Sequence, residues 1–333
     1  MSRAVVAFPG QGSYTGAALG SLPADHDWVR RADEMRRARG LAPLSELDRA
    51  RAFDPAIHLR AANAAPLTFL CGLLDAERIV DDHEVVVVVA SSTGWATALA
   101  ASGALGFDDA FRLVQELALL ADEHAPATAG GQVIYPLADG DWLPDPDRIA
   151  AVAAALAEGD GDAYRSVELG GFTIIGANAS GVGRLLEALP SVTASGRTFP
   201  MRLAHQGPWH TPLSVAAAER ASEELADLEW QAPNVTLIDG TGRRFTPWST
   251  DPVELARATL TDHVVSTYDF ALSLRVALRE YAPDVVLLPG PGSSLGAPAA
   301  HVIIAEGYHG LRSRADLEAA QAADSPILLS MRR

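Results

Sequence analysis

The sequence runs to 333 residues, 48% apolar and 20% charged, which suits one large domain or two ordinary ones with a packed core and argues against disorder. Acidic residues number 42 against 26 arginines and no lysine, a formal net charge of -16, which argues against bulk nucleic-acid or anionic-membrane binding because either needs a basic face. The single cysteine, Cys71, excludes an internal disulfide framework and a Cys-rich metal site; it reads as a small buried hydrophobe in the apolar run Leu67–Leu74.

The apolar stretch after Met-Ser-Arg is too short for a signal-peptide core, and no window approaches 18 uncharged apolar residues. The expectation is a soluble, cytoplasmic protein. Short apolar runs alternate with longer Ala/Leu-rich amphipathic stretches, the pattern of an α/β chain. Val5–Phe8 predicts a strand entering the turn Pro9-Gly10-Gln11-Gly12-Ser13. Val85–Val89, five consecutive valines, predicts a central parallel strand buried on both faces. It runs into Ala90-Ser91-Ser92-Thr93-Gly94 and a helix over Trp95–Ser102, with a further helix over Phe107–His124.

The middle of the chain has another rhythm. Strands are expected at Gln132–Pro136, Ser166–Leu169, Phe172–Ile175 and Thr198–Leu203, with helices at Asp147–Glu158 and Val182–Leu189. The order β-α-β-β-α-β is ferredoxin-like. A last buried strand, Val285–Leu288, ends in Pro289-Gly290-Pro291-Gly292; the prolines at 289 and 291 do not fit a nucleotide-binding glycine fingerprint.

The sharpest chemical signal is Ser92, delivered by a buried strand into a tight turn before a helix. This is close to the Gly-x-Ser-x-Gly elbow, with Ala90 in the first glycine position. Such a turn exposes a hydroxyl beside the oriented N–H groups of a helix start, although a Ser-Ser-Thr cluster there could equally cap the helix. Of nine histidines, His210 is the best base, because prolines fix its loop, Gly-Pro-Trp-His-Thr-Pro-Leu; His205 is the rival.

Phe8-Pro9-Gly10-Gln11-Gly12-Ser13, the Ser92 elbow, the His210 loop and Pro289–Gly292 stand in one order along the chain. Gly103-Ala104-Leu105 and Arg112-Leu113-Val114 join them. Together they resemble the malonyl-CoA:acyl-carrier-protein transacylase family, which includes the discrete acyltransferases of polyketide synthesis. The resemblance covers nearly the whole chain. It implies an α/β-hydrolase-like large subdomain with a parallel central sheet over 1–127 and 205–333, and an inserted ferredoxin-like small subdomain over 128–204. It also implies Ser92 as nucleophile, His210 as base oriented by a backbone carbonyl, and an oxyanion hole from the N–H groups of Gln11 and Thr93. The chemistry would be ping-pong acyl transfer between phosphopantetheine thioesters, acyl-CoA or acyl carrier protein, with no bound cofactor and no metal.

Departures from the family pattern cluster around the expected acyl pocket. The family arginine that pairs with a malonyl carboxylate falls on Leu117, followed by Ala118 in place of glycine. Ser91 stands for a histidine, Trp95 for glutamate, Ala65 for the glutamine before Pro66, His263 for a glutamine, and Trp209 for a smaller aromatic. A leucine at 117 would leave a buried carboxylate unpaired, at a cost of several kcal/mol, so the pattern implies an uncharged acyl group unless another arginine reaches in. An acyl carrier protein is the implied partner. Arg148, Arg202, Arg243, Arg244, Arg312 and Arg314 are candidates to meet its acidic surface, or simply a solvated charged face. Malonyl transfer, an editing acyl-thioester hydrolase using the same pair, and a catalytically silent docking module remain as alternatives.

Overall fold

Alternate residues of a strand face opposite sides of its sheet, and the valine-rich strands of this chain bury both faces. In the computed structural model, which describes residues 1–128, 130–194 and 196–332 and the backbone alone at 80–81 and 124–128, β1 (Ser2–Phe8) pairs in parallel with β2 (His83–Ala90). Ala129 and Ser195 of the expected small subdomain, and Arg333 at the expected end of the large one, lie outside the described residues. Val6, Phe8, Val88 and Ala90 pack into one core, with helices Ala61–Asp82 and Phe107–Thr128 on that side. Val5, Ala7, Val87 and Val89 pack into a second core with helices Phe270–Tyr281 and Gly296–Ala305. Cys71 is fully buried in the first core, and burial pushes its thiol up to about 12.

Mid-chain, β3 (Gly131–Pro136), β4 (Ala163–Glu168) and β5 (Phe172–Ala177) form an antiparallel sheet. The expected strand over Thr198–Leu203 is instead two pieces. Pro200, which has no N–H to give to a ladder, divides β7 (Arg197–Phe199), a hairpin partner of β6 (Val192–Ala194), from β8 (Met201–Arg202), which pairs with β3. Helices Pro146–Ala157 and Ala179–Ala188 complete the β-α-β-β-α-β path; Asp145 and Asn178 cap them through the N–H groups of Asp147, Arg148 and Gly181.

The chain then returns to the first sheet through β9 (Leu237–Ile238) and β10 (Arg244–Phe245). β11 (Tyr268–Asp269) joins the second sheet beside β4. Finally β12 (Val285–Leu288) and β13 (Leu328–Ser330) lie parallel to β1. The strand orders are β10-β9-β2-β1-β12-β13 and β11-β4-β5-β3-β8. The fold is therefore α/β, with a mostly parallel central sheet and a ferredoxin-like second sheet extended by one strand from the C-terminal part of the chain. Asp75 takes a two-pronged ion pair from Arg332, at 2.8 and 2.9 Å, and the N–H of Gly290 at 2.7 Å, tying the Pro289–Gly292 turn and the chain's end to helix Ala61–Asp82. Among the described residues no helix is long and apolar enough to cross a membrane.

Candidate active site

The buried end of β2 delivers Ser92 into a sharp turn with φ of 51°, and helix Gly94–Ala101 starts two residues later. Two glycines permit this geometry. A Cβ on Gly94 would stand 2.6 Å from the carbonyl oxygens of Phe8 and Pro9, and one on Gly10 would stand 2.7 Å from that of Ser91. Bare backbone at both positions lets the Pro9–Gly12 turn lie against the elbow. The Ser92 hydroxyl does not cap the helix: it donates to His210 Nε2 at 2.7 Å.

His210 is held by its own loop and by a distant one. Its Nδ1–H donates to the backbone carbonyl of His263, which fixes the tautomer that leaves a lone pair on Nε2 facing Ser92. Burial, outweighing that hydrogen bond, lowers the imidazole from 6.5 to about 4, so it is neutral at pH 7. The next turn over, Ser166 donates to the Trp209 carbonyl at 2.7 Å and anchors the loop to β4. His205 is exposed and lines a neighbouring cleft instead. The carbonyl that orients His210 follows a π-helical turn, Ala258–Asp262, a distortion frequent at functional sites. His263 is itself anchored, its Nε2–H donating to Asp239 at 3.1 Å. Burial opposes ionisation of Asp239, but the bonds from His263 and Thr241 outweigh it and hold the carboxyl below its usual range.

Ser92 and His210 open into a cavity of about 80 Å³. Helix Phe107–Thr128 supplies an apolar wall of Leu113, Val114, Leu117, Ala118 and Ala121. Gln11, Thr93, Trp95, Trp209 and His263, all singled out from sequence, line the cavity as well. Trp95 is fixed there by donating its Nε1–H to Thr259 at 2.9 Å. Two expected pocket residues do not line it. Ser91 is buried behind the elbow with its N–H on the Phe8 carbonyl, and Ala65 is packed in the first core, 1% exposed. The expected oxyanion donors also need qualification. The Gln11 N–H already donates to Thr93 Oγ1 at 2.6 Å, so a side chain the sequence reading left without a role occupies that donor. No arginine lines the cavity among the described residues. Arg36, buried beside the same helix, is used up on the carbonyls of Ala42 and Ala62 and the amides of Asn63 and Gln115.

The six arginines expected as candidates to meet a carrier protein are scattered. Arg202 lines a cleft of about 600 Å³ with Arg60, Asp122 and His205, and Gln206 belongs to both this cleft and the Ser92 cavity. Arg148 pairs with Asp145 at 2.9 Å, Arg243 with Glu254, Arg244 with Glu280, and Arg314 with Glu318 at 2.8 Å; Arg312 is exposed. Only Arg202 of the six borders either cavity. Sequence reasoning missed Tyr268, Gln132, Gln206 and Thr259 on the cavity wall, and Asp239 behind it. Tyr268 sits on a two-residue strand, too short to leave a periodic signal.

No protein-family model matches the sequence, and no curated protein matches it. Solved structures do. An acyl-carrier-protein S-malonyltransferase from Burkholderia pseudomallei 1710b aligns with a TM-score of 0.73 at 20% identity, over 99% of this chain and 96% of that one. The malonyl-CoA:ACP transacylase of Synechocystis sp. PCC 6803 aligns at 0.71 and 18% identity, over 91% and 94%. PlMCAT, a malonyl-transacylase in complex with the type II polyketide-synthase acyl-carrier protein AntF, aligns at 0.73 and 16% identity, over 100% and 96%. The class that these likenesses define is one of fold. The chain has the mixed α/β architecture of the malonyl-transacylase structures from end to end.

Proposed function

We propose that the protein is an acyltransferase that moves an uncharged, non-dicarboxylic acyl group from a pantetheine thioester, through a Ser92 acyl-enzyme, to an acyl carrier protein. The observation that carries this reading is the Ser92–His210 hydrogen bond of 2.7 Å at a cavity that no arginine lines among the described residues. As Ser92 Oγ attacks the thioester carbonyl carbon, its proton passes to His210 Nε2 while the His263 carbonyl holds the ring. The carbonyl π electrons move onto oxygen, where the Thr93 N–H stabilises them, joined by the Gln11 N–H once the substrate oxygen displaces the Thr93 hydroxyl. Collapse expels the thiolate, which takes the proton from Nε2. A second pantetheine thiol then gives its proton to His210, attacks the acyl-serine and leaves Ser92 reprotonated. In the adjoining cleft Arg60 pairs with Asp122 at 3.5 Å, which leaves Arg202 as the cation placed to meet the phosphate of an incoming phosphopantetheine arm.

The solved neighbours named above are malonyl-transferring enzymes, which favours malonyl transfer, and one of them is bound to a polyketide carrier protein, which supports a polyketide setting. One experiment separates the readings. Incubation with malonyl-, acetyl- and butyryl-CoA, followed by intact-mass measurement, is expected to show adducts of the uncharged groups that vanish in Ser92→Ala. A malonyl adduct alone would overturn the non-dicarboxylic reading, and no adduct with any thioester would overturn the enzyme reading. Release of free acid in place of acyl carrier protein product would make it a hydrolase.

A further inference from the structure

The cavity beside Ser92 is apolar on one wall only. Four of its lining residues each carry a polar atom, shielded from solvent, that finds no partner among the described residues: Gln11 Nε2, Trp209 Nε1, His263 Nδ1 and Tyr268 Oη. Two of the residues are more than nine-tenths buried, His263 at 6% and Tyr268 at 1% exposure. Buried polar groups are almost always paired, and Tyr and Trp in particular find a partner for O–H or N–H when enclosed. Four unpaired ones around one small cavity mark a place where a ligand supplies the missing bonds.

Their chemistry restricts that ligand. Gln11 Nε2 and Trp209 Nε1 only donate. The Nε2–H of His263 is committed to the Asp239 carboxylate, and where that is the ring's one proton, Nδ1 accepts. Tyr268 does either. A group that accepts from one side and donates to the other satisfies this set, and a hydroxyl does both. No Asp, Glu or Arg lines the cavity among the described residues, so an ammonium or carboxylate there would be buried without a counter-charge. The volume, about 80 Å³ against the ~150 Å³ of a cavity that takes up benzene, restricts the acyl group to a few carbons.

Resting on the acyltransferase reading, we infer that the acyl group is a short hydroxyacyl chain: its hydrocarbon lies on Leu113, Val114 and Leu117, and its hydroxyl bridges His263 Nδ1 and a donor from Tyr268, Trp209 or Gln11. A site built to hydrogen-bond a substrate hydroxyl discriminates strongly against the analogue that lacks it, because its own groups are then left unpaired.

The test uses matched pairs of CoA thioesters, 3-hydroxypropionyl against butyryl and 2-hydroxypropionyl against isobutyryl, with the rate of Ser92 acylation read by intact mass. At least one hydroxyacyl member should load 10-fold or more faster than its isostere. Tyr268→Phe or Trp209→Phe should pull that ratio towards one, a change that general destabilisation would not produce because it slows both members alike. Equal loading of hydroxyacyl and alkyl members overturns the inference and leaves the acyltransferase reading standing. A ratio that survives both substitutions overturns the assignment of the polar wall. Failure of every thioester to load overturns the parent reading and this inference with it.

Discussion

The resemblance read from the sequence places Leu117 at the position of the arginine in malonyl-transferring members, and Leu117→Arg tests that reading of the pocket directly. The new guanidinium would sit on a wall whose neighbours Leu113, Val114 and Ala118 are at most 3% exposed, so water reaches it only through the cavity. Unpaired, it should cost about 2–4 kcal/mol of folding stability, as a cation brought among apolar side chains without a partner. A malonyl carboxylate entering the cavity supplies that partner. At ~4 Å and an effective dielectric of about 20, the attraction is about 4 kcal/mol. Setting roughly a quarter of that against desolvation of the carboxylate leaves about 3 kcal/mol, or about 100-fold. The ratio of malonyl to acetyl loading of Ser92, measured by time-resolved intact mass, should therefore rise about 100-fold, with absolute acetyl loading reduced. A thermal melt establishes that the variant is folded. A folded Leu117→Arg whose malonyl-to-acetyl ratio matches the parent would refute the placement of residue 117 on the acyl chain.

Three further outcomes follow from the site and its frame. His210 is lowered to about 4 by burial, so the Ser92 acylation rate should stay flat from neutral pH down to about 5 and fall by half near 4; a profile that breaks near 6.5 would mean the imidazole is solvated. The same shift contributes about 3 kcal/mol of stability that is fully present above pH 6.5, where the ring is neutral folded or unfolded, and drains away as pH drops from 6.5 to 4, because the unfolded chain binds the proton first; urea denaturation across that window reads it. Arg36→Met should cost about 3–5 kcal/mol, since it strips the buried carbonyls of Ala42 and Ala62 and the amides of Asn63 and Gln115 of their donor; a loss below about 1 kcal/mol in urea titrations would show that these groups repair their bonds.

How much of this was legible in the sequence depends on where the information lies along the chain. The strands at Val85–Val89 and Val285–Leu288 could be read because burial on both faces demands an unbroken apolar run, and the Ser92 turn because strand, small residues and helix are contiguous. The pairing of Ser92 with His210 came from a resemblance, not from spacing. The carbonyl of His263 and the ring of Tyr268 were invisible, since each acts through a contact with a residue dozens of positions away. Ser91 and Ala65 misled for a related reason. Adjacency to a functional residue does not say which way a side chain points, and both turn into the core. The Thr198–Leu203 segment shows the converse, where Pro200 was a local signal of a break that the apolar pattern masked.

Strand β11 binds the two sheets in a way that bears on turnover. Tyr268 is a rung of the ladder with Val167 on β4, while the N–H of Asp269, its neighbour, donates to Gly240 beyond β9 at 2.9 Å. The same tyrosine ring is part of the cavity wall. Swinging the smaller sheet open like a jaw would break the Asp269–Gly240 bond or draw Tyr268 out of the cavity wall. On the proposed acyl-transfer reading, donor and acceptor would then exchange through a fixed aperture, and the waiting ester would be guarded by rigidity where other enzymes rely on a moving cover.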